Sequence, residues 1–171
     1  ALAVKIKKNK IIKTLDKLKS ASGRFEEIIY KKKSSKIIID YAHTPDALQN
    51  VLKAYTNKSF RPSLVFGCGG ERDKSKRKKM SIIANKYAKK VYLTDDNPRN
   101  ENANLIRKTL KKYCQKAKDI SNRRLAIETA ISEMDQKDIL IIAGKGHEKY
   151  QIIKNKNYLF DDFKVAKDFI K

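Results

Sequence analysis

Four short apolar runs constrain this chain more than anything else in it: "KIIIDYAH", "SLVFGCGG", "VYLTDDNP" and "DILIIAGKGHE". Each opens on a few Ile, Val, Leu or Phe residues, the length and make-up of a buried strand. Each then stops at glycines or polar residues. Helical patterns fill the gaps. "TPDALQNVLKAYTNK" offers Thr44 as N-cap, Pro45 at the first helical position, and Ala47, Leu48, Val51, Leu52 and Tyr55 at helical spacing. "KSKRKKMSIIANKYAKK", "NANLIRKTLKKYCQKA" and "NRRLAIETAISEM" read as further helices. "YQIIKNKNYLF" reads as a hairpin about Asn155 to Asn157, and "DFKVAKDFI" as a closing helix. Strands alternating with helices imply right-handed βαβ crossovers. The expected class is α/β: a Rossmann-like, mostly parallel sheet flanked by helices, with an antiparallel hairpin near the C-terminus. In an open sheet of this kind, ligands bind beyond the carboxyl ends of the strands. The segments "DYAHTP", "GCGGERD", "TDDNPR" and "AGKGHE" are therefore expected to converge on one edge.

The 171 residues suffice for one ordinary domain with a core. The first 35 are lysine-rich, with Ile11, Ile12, Leu15 and Leu18 at helical spacing and a short strand expected at Glu27 to Tyr30. The chain opens in mid-pattern without an initiator Met, so a piece of a longer protein is expected. The formal net charge is +22. Lysines are scattered over every segment, and only "DKSKRKK" forms a cluster. Nucleic-acid binding is thus not the expected role, although a positive field would attract anionic substrates. No apolar run approaches the ~18 residues that a membrane span needs. No secretory signal is visible at the start. Cys68 and Cys114 match no metal spacing and suit a reducing compartment, so cytoplasm is expected.

The strand ends carry the chemistry. "GCGGERDKSKR" has three glycines within four residues, which permit close backbone approach, but it lacks the spacing of a P-loop. It is either a tight strand-to-helix turn or, with Arg72 beside Asp73, a carboxylate or phosphate clamp. "AGKGHEKYQ" puts Lys145 in a Gly-x-Gly context open to reading as a phosphate loop, and Glu148 where an acid could bind an ammonium group. "DNPR" offers Asp96 and Asn97 as acceptors and Arg99 as a rigid fork for carboxylate, stiffened by Pro98. An internal Asp–Arg salt bridge explains the same residues. In "DYAHTPDAL", His43 suits a helix-capping or core role better than metal ligation with Asp40, since the only other histidine, His147, stands at no motif spacing.

Taken in order, "GRFE", "DYAHTPDAL", "VFGCGGERDKSKR", "TDDNPR" and "AGKGHEKYQ" resemble the C-terminal part of the Mur ligases. The resemblance runs from Gly23 to the end. It implies that residues 1–22 are the tail of a missing central ATPase domain or a linker, and that 23–171 are the family's C-terminal domain. It also implies an ATP-dependent ligase that forms an amide bond through an acyl phosphate. The P-loop, the magnesium sites and the carbamylated lysine belong to the central domain, so no catalytic or metal-binding residue is expected here and the piece should not catalyse alone.

Carried over by position, Arg24 and Asp40 match an ATP-contacting pair, arginine toward phosphate and aspartate toward ribose. Arg72, Asp96, Asn97, Pro98, Arg99, Gly144 and Glu148 match positions that grip the incoming amino acid. In this family "DNPR" marks members that add meso-diaminopimelate to UDP-N-acetylmuramoyl-L-alanyl-D-glutamate, where lysine-adding relatives differ. The expected partners are these two substrates, ATP with Mg2+, and the missing N-terminal and central domains. Neither a membrane nor a specific nucleic acid is expected. Ser75, Glu71 and "LFDDF" depart from the usual glycine, aspartate and Ser-Asp.

Overall fold

The computed structural model describes residues 7–15 and 21–171. Helix α1 (Lys8–Leu15) covers the expected helical positions up to Leu15, while Leu18 lies outside the described residues. Strand β1 (Glu26–Tyr30) turns through a short 3-10 segment (Lys31–Lys33) into β2 (Ser35–Asp40). The chain then alternates: α2 (Pro45–Ala54), β3 (Ser63–Phe66), α3 (Ser75–Tyr87), β4 (Val91–Leu93), α4 (Ala103–Tyr113), β5 (Lys118–Asp119), α5 (Arg123–Ser132) and β6 (Ile139–Ala143). The hairpin β7 (Tyr150–Ile153) and β8 (Lys156–Leu159) follows, and α6 (Asp162–Phe169) ends the fold.

The main sheet has the order β1-β2-β6-β3-β4-β5. β1 is antiparallel to β2, and the other pairings are parallel. Side chains alternate between the two faces, as a pleated strand requires. Ile38, Leu64, Phe66, Leu93 and Ile141 join the core formed with α2, α3 and α4. Ile37, Ile39, Val65, Tyr92, Leu140 and Ile142 join the core formed with α5 and α6. Both faces are covered, which explains why these strands read as continuous apolar runs.

Local signals act as the sequence suggests at the helix starts. The Thr44 hydroxyl accepts from the Ala47 amide at 3.3 Å, with Pro45 opening α2. Asn102 and Asn122 cap α4 and α5 in the same way. Two expectations shift, and one strand goes unforeseen. The hairpin turns at Lys154–Asn155, with Lys154 at φ +54, and Asn157 pairs with Ile152 inside β8. Helix α4 stops at Tyr113 rather than running through "CQKA", because the chain there bends to lay down β5 beside β4. β5 itself is two exposed residues, too short to show any alternation.

Candidate functional site

The carboxyl ends of β2, β6, β3 and β4 stand side by side, because those four strands are consecutive in the sheet. The chain leaves β2 for α2 on one face, and leaves β6 for the hairpin and α6 on the other. That divergence opens a crevice at the strand ends. It is a cleft of about 390 Å³ lined by Tyr41, His43, Thr44 and Pro45 after β2, and by Gly69, Arg72, Asp73 and Lys76 after β3. Asp96, Asn97 and Arg99 line it after β4, and Gly144 and Glu148 after β6. Six of the residues expected to grip an amino acid therefore share one cavity. Pro98 is buried behind it, its carbonyl 2.0 Å from where a Cβ on Gly70 would lie.

The basic side of the cleft is built around Gly69. A Cβ there would come within 3.0 Å of a terminal nitrogen of Arg99 and 3.9 Å of the Arg72 side chain. Arg99 donates to the carbonyls of Gly70 (2.9 Å) and Asn97 (3.3 Å), which aim its guanidinium without neutralising it. The internal Asp96–Arg99 salt bridge weighed from sequence is not among the ion pairs of the described residues; Asp96 faces Lys145 at 3.8 Å instead. Arg72 is exposed. Glu71 adopts φ +53, its amide donating to Glu101 at 2.6 Å and its carboxylate accepting from Asn100 at 2.8 Å. Asp73 accepts from the Ser75 amide at 2.8 Å, which pins the start of α3; hydrogen bonding from the Ser75 side chain, and then from this amide, lowers its pKa.

The "DNPR" loop is stitched to the hairpin. Arg99 stands at φ +52; its amide donates to the Ile152 carbonyl (3.1 Å) and its carbonyl accepts from Lys154 (2.8 Å). Gln151 donates to the carbonyls of Asp95 (3.2 Å) and Asp96 (2.6 Å). Behind the loop, Arg107 clamps Asp95 and Asp119 together. Burial raises the pKa of Asp95, and Arg107 opposes that shift.

Lys145 corrects the phosphate-loop reading. Gly144 at φ +115 and Gly146 at φ +52 flank it, and its side chain is fully buried. Its ammonium reaches Asn97 Oδ1 at 2.9 Å and Glu148 Oε2 at 3.2 Å. No anion in solvent can meet it there. A Gly-x-Gly pattern fixes neither the sign of φ nor the direction of the side chain between.

His43 corrects the capping or core expectation. It is exposed, its Nδ1 lies 2.9 Å from the Tyr41 carbonyl, and Thr44 does the capping. Its ring packs edge-on to Tyr41 at 4.5 Å, and the His147 ring lies tilted to Tyr41 at 5.0 Å. Arg24 and Asp40, expected to meet ATP, lie outside the cleft. Arg24 is exposed, its guanidinium 5.6 Å from the Tyr41 ring centre. Asp40 is buried, and both its oxygens accept backbone bonds, from Phe25 (2.9 Å) and Ala42 (2.8 Å), so its carboxylate fastens the "GRFE" turn. Gly23 and Gly146 meet backbone to backbone at that turn, where a Cβ on either would clash. Among the described residues no group of three or more His, Cys, Asp or Glu side chains is arranged to hold a metal ion.

Cys68, between the glycines, is not a nucleophile. Burial pushes its thiol up to about 12, against the opposing pull of Lys76. Burial also raises Cys114. Because the reactive species is the thiolate, iodoacetamide at pH 8 is expected to leave both cysteines unmodified in the folded chain and to label both in urea, read by mass spectrometry. Rapid labelling of Cys68 without urea would contradict the closed packing of this loop.

The sequence pattern described as "Mur ligase, glutamate ligase domain" matches residues 23–146. The protein described as "UDP-N-acetylmuramoyl-L-alanyl-D-glutamate--2,6-diaminopimelate ligase" in Rickettsia felis is 46% identical over 164 residues, covering 93% of this chain and 30% of that protein. The protein of the same description in Buchnera aphidicola is 45% identical over 166 residues, covering 94% and 32%. A solved structure of a protein so described superposes with a TM-score of 0.78 at 36% identity, over 99% of this chain and 36% of that one. Folylpolyglutamate synthase from Thermotoga maritima shares the fold alone, with a TM-score of 0.57 at 21% identity over 81% of this chain and 31% of that one. The chain spans about a third of the length of the curated relatives it matches. Nearly all of it aligns with those relatives, and the family's own pattern runs from the "GRFE" turn to the Gly-Lys-Gly loop; the chain belongs to the Mur ligase family.

Proposed function

We propose that this chain is the amino-acid-binding C-terminal domain of an ATP-dependent cytoplasmic ligase. That enzyme adds meso-diaminopimelate to UDP-N-acetylmuramoyl-L-alanyl-D-glutamate in peptidoglycan synthesis. The observation that carries this reading is the polarity of one cleft, with Arg72 and Arg99 beside Gly69 and with Asp96 and Glu148 toward Gly144. Diaminopimelate bears a carboxylate and an ammonium at each end, so its distal end asks for a guanidinium fork and an acid together. Lysine lacks the distal carboxylate and would leave Arg99 facing nothing. An unpaired charge of that kind costs roughly 2–5 kcal/mol when buried.

ATP supplies the phosphoryl group that makes the dipeptide carboxylate a good electrophile; attack by the amine then forms the amide and releases phosphate. Arg24 and Asp40 are the residues assigned to it. The fit is reasonable for Arg24, whose guanidinium is exposed and has no ion pair among the described residues. Asp40 would act with lone pairs left over from its two backbone bonds. Mg2+ and the phosphoryl-transfer residues are assigned to the rest of the ligase.

The test is amino-acid incorporation by the complete ligase. Efficient use of meso-diaminopimelate with lysine refused is expected. Efficient lysine use with diaminopimelate refused overturns the reading.

A further inference from the structure

Among the described residues, Lys145 is the one fully buried ammonium, and the amino-acid-binding assignment leaves it without a job. Two left-handed glycines reverse the backbone on either side of it and turn its side chain beneath the cleft floor. There it touches three members of the cleft from below: Asn97 Oδ1 at 2.9 Å, Glu148 Oε2 at 3.2 Å and Asp96 Oδ1 at 3.8 Å. Asn97 completes the group. Its Nδ2 donates to the same Glu148 oxygen at 2.9 Å, and its Oδ1 also accepts from the Ile152 amide at 3.0 Å. Lys145 and Asn97 thus occupy Oε2 of Glu148, and Oε1 is the oxygen with no hydrogen bond among the described residues.

We propose that Lys145 is a positioning residue for ammonium recognition: it holds the Glu148 carboxylate with Oε1 free for the ligand, and its charge offsets one of the two acids at that end of the cleft. The inference rests on the amino-acid-binding reading above and deepens it. Asp96 and Glu148 together carry two negative charges, and the buried ammonium leaves a net demand for one cation. A ligand end that presents one ammonium matches that demand. Without Lys145, Asp96 and Glu148 would lose the one cation that contacts both, leaving only the more distant Arg123, itself paired with Asp162, and Glu148 would lose one of the two donors that orient it.

The test uses the complete ligase and a double-mutant cycle between positions 145 and 148. Lys145→Met keeps an unbranched side chain of similar length and removes the charge and the donors. It is expected to raise the KM for meso-diaminopimelate about tenfold or more, as truncating one member of a hydrogen-bonded charge pair does. The KM values for ATP and for the UDP-linked substrate should stay within about twofold, because the defect is confined to one end of one cleft. In a Glu148→Gln background the same Lys145 substitution should change the amine KM by less than about twofold, since the group it acts through is gone.

Equal effects of Lys145→Met in both backgrounds, or a rise shared by all three substrates, would overturn the proposal and leave Lys145 a packing residue. Should Lys145→Met fail to fold alone, the charge-balanced pair Lys145→Met/Glu148→Gln against Glu148→Gln still decides the matter. A difference above about twofold in amine KM between those two sinks it. If the unmodified ligase refuses diaminopimelate, the substrate assignment has failed. If it accepts diaminopimelate and the cycle shows no coupling, only the role of Lys145 has failed.

Discussion

Arg99→Ala in the complete ligase is expected to raise the KM for meso-diaminopimelate about thirty- to a hundredfold while barely changing the weak use of lysine. Arg99 is half-buried and faces the cleft from beside Gly69, with two backbone carbonyls holding its guanidinium in place. Those carbonyls do not cancel its charge, so a carboxylate that docks there gains a charge-assisted, two-pronged partner. Removing one side of such a pair costs roughly 2–3 kcal/mol at a site still open to water, the lower part of the buried range. The backbone contribution is separable. The Arg99 amide and carbonyl bond to Ile152 and Lys154 whatever side chain the residue carries, so the loop should keep its shape. Arg99→Lys retains charge and loses the planar fork, and about a tenfold rise is expected. Competition assays with both amino acids give the decisive ratio. Unchanged preference for diaminopimelate in Arg99→Ala would move the distal carboxylate elsewhere, with Arg72 the next residue to replace.

What the sequence disclosed was whatever chemistry is local. β-branched runs ending in glycine mark strand ends, and strand ends in a parallel sheet meet at one edge; from that alone, Arg72, Arg99 and Glu148 could be sent to the same place. Thr44 with Pro45 announced the start of α2, because a cap needs only three residues of context. The buried ion pair of Arg123 and Asp162 left no such trace. Its members are 39 residues apart, and each looks like an ordinary charge at the head of a helix. Lys145 misled for a related reason: whether it points into solvent or under the floor depends on the φ of its neighbouring glycines, not on their identity. The departure "LFDDF" resolves simply. Asp161 caps α6 by accepting from the Lys164 amide at 3.1 Å, a task serine performs equally well, while Asp162 is the buried partner.

That partner should be the costliest single residue in the chain to change. Arg123 and Asp162 are fully buried, joined by two parallel hydrogen bonds of 2.8 Å and 2.7 Å, and Arg123 also donates to the Ala143 carbonyl at 3.1 Å. One terminal nitrogen of Arg123 is buried with no partner among the described residues, so the guanidinium is already short of acceptors. Asp162 opens α6, where the helix end favours a negative charge. Asp162→Ala would leave the cation buried and uncompensated, and a loss of about 3–5 kcal/mol is expected, comparable with much of a domain's total stability. Urea unfolding should show the midpoint collapsing, with Asp162→Asn nearly as damaging because shape without charge does not neutralise the arginine. Replacing both residues with apolar ones of similar volume, as in Arg123→Met/Asp162→Leu, should recover most of the loss, since what destabilises is the orphaned charge rather than the missing pair. A double variant no more stable than Asp162→Ala would show instead that α5, α6 and the end of β6 depend on the hydrogen bonds themselves. In that case the Ala143 carbonyl, one residue before Gly144, would make the pair a support of the cleft and not only of the core.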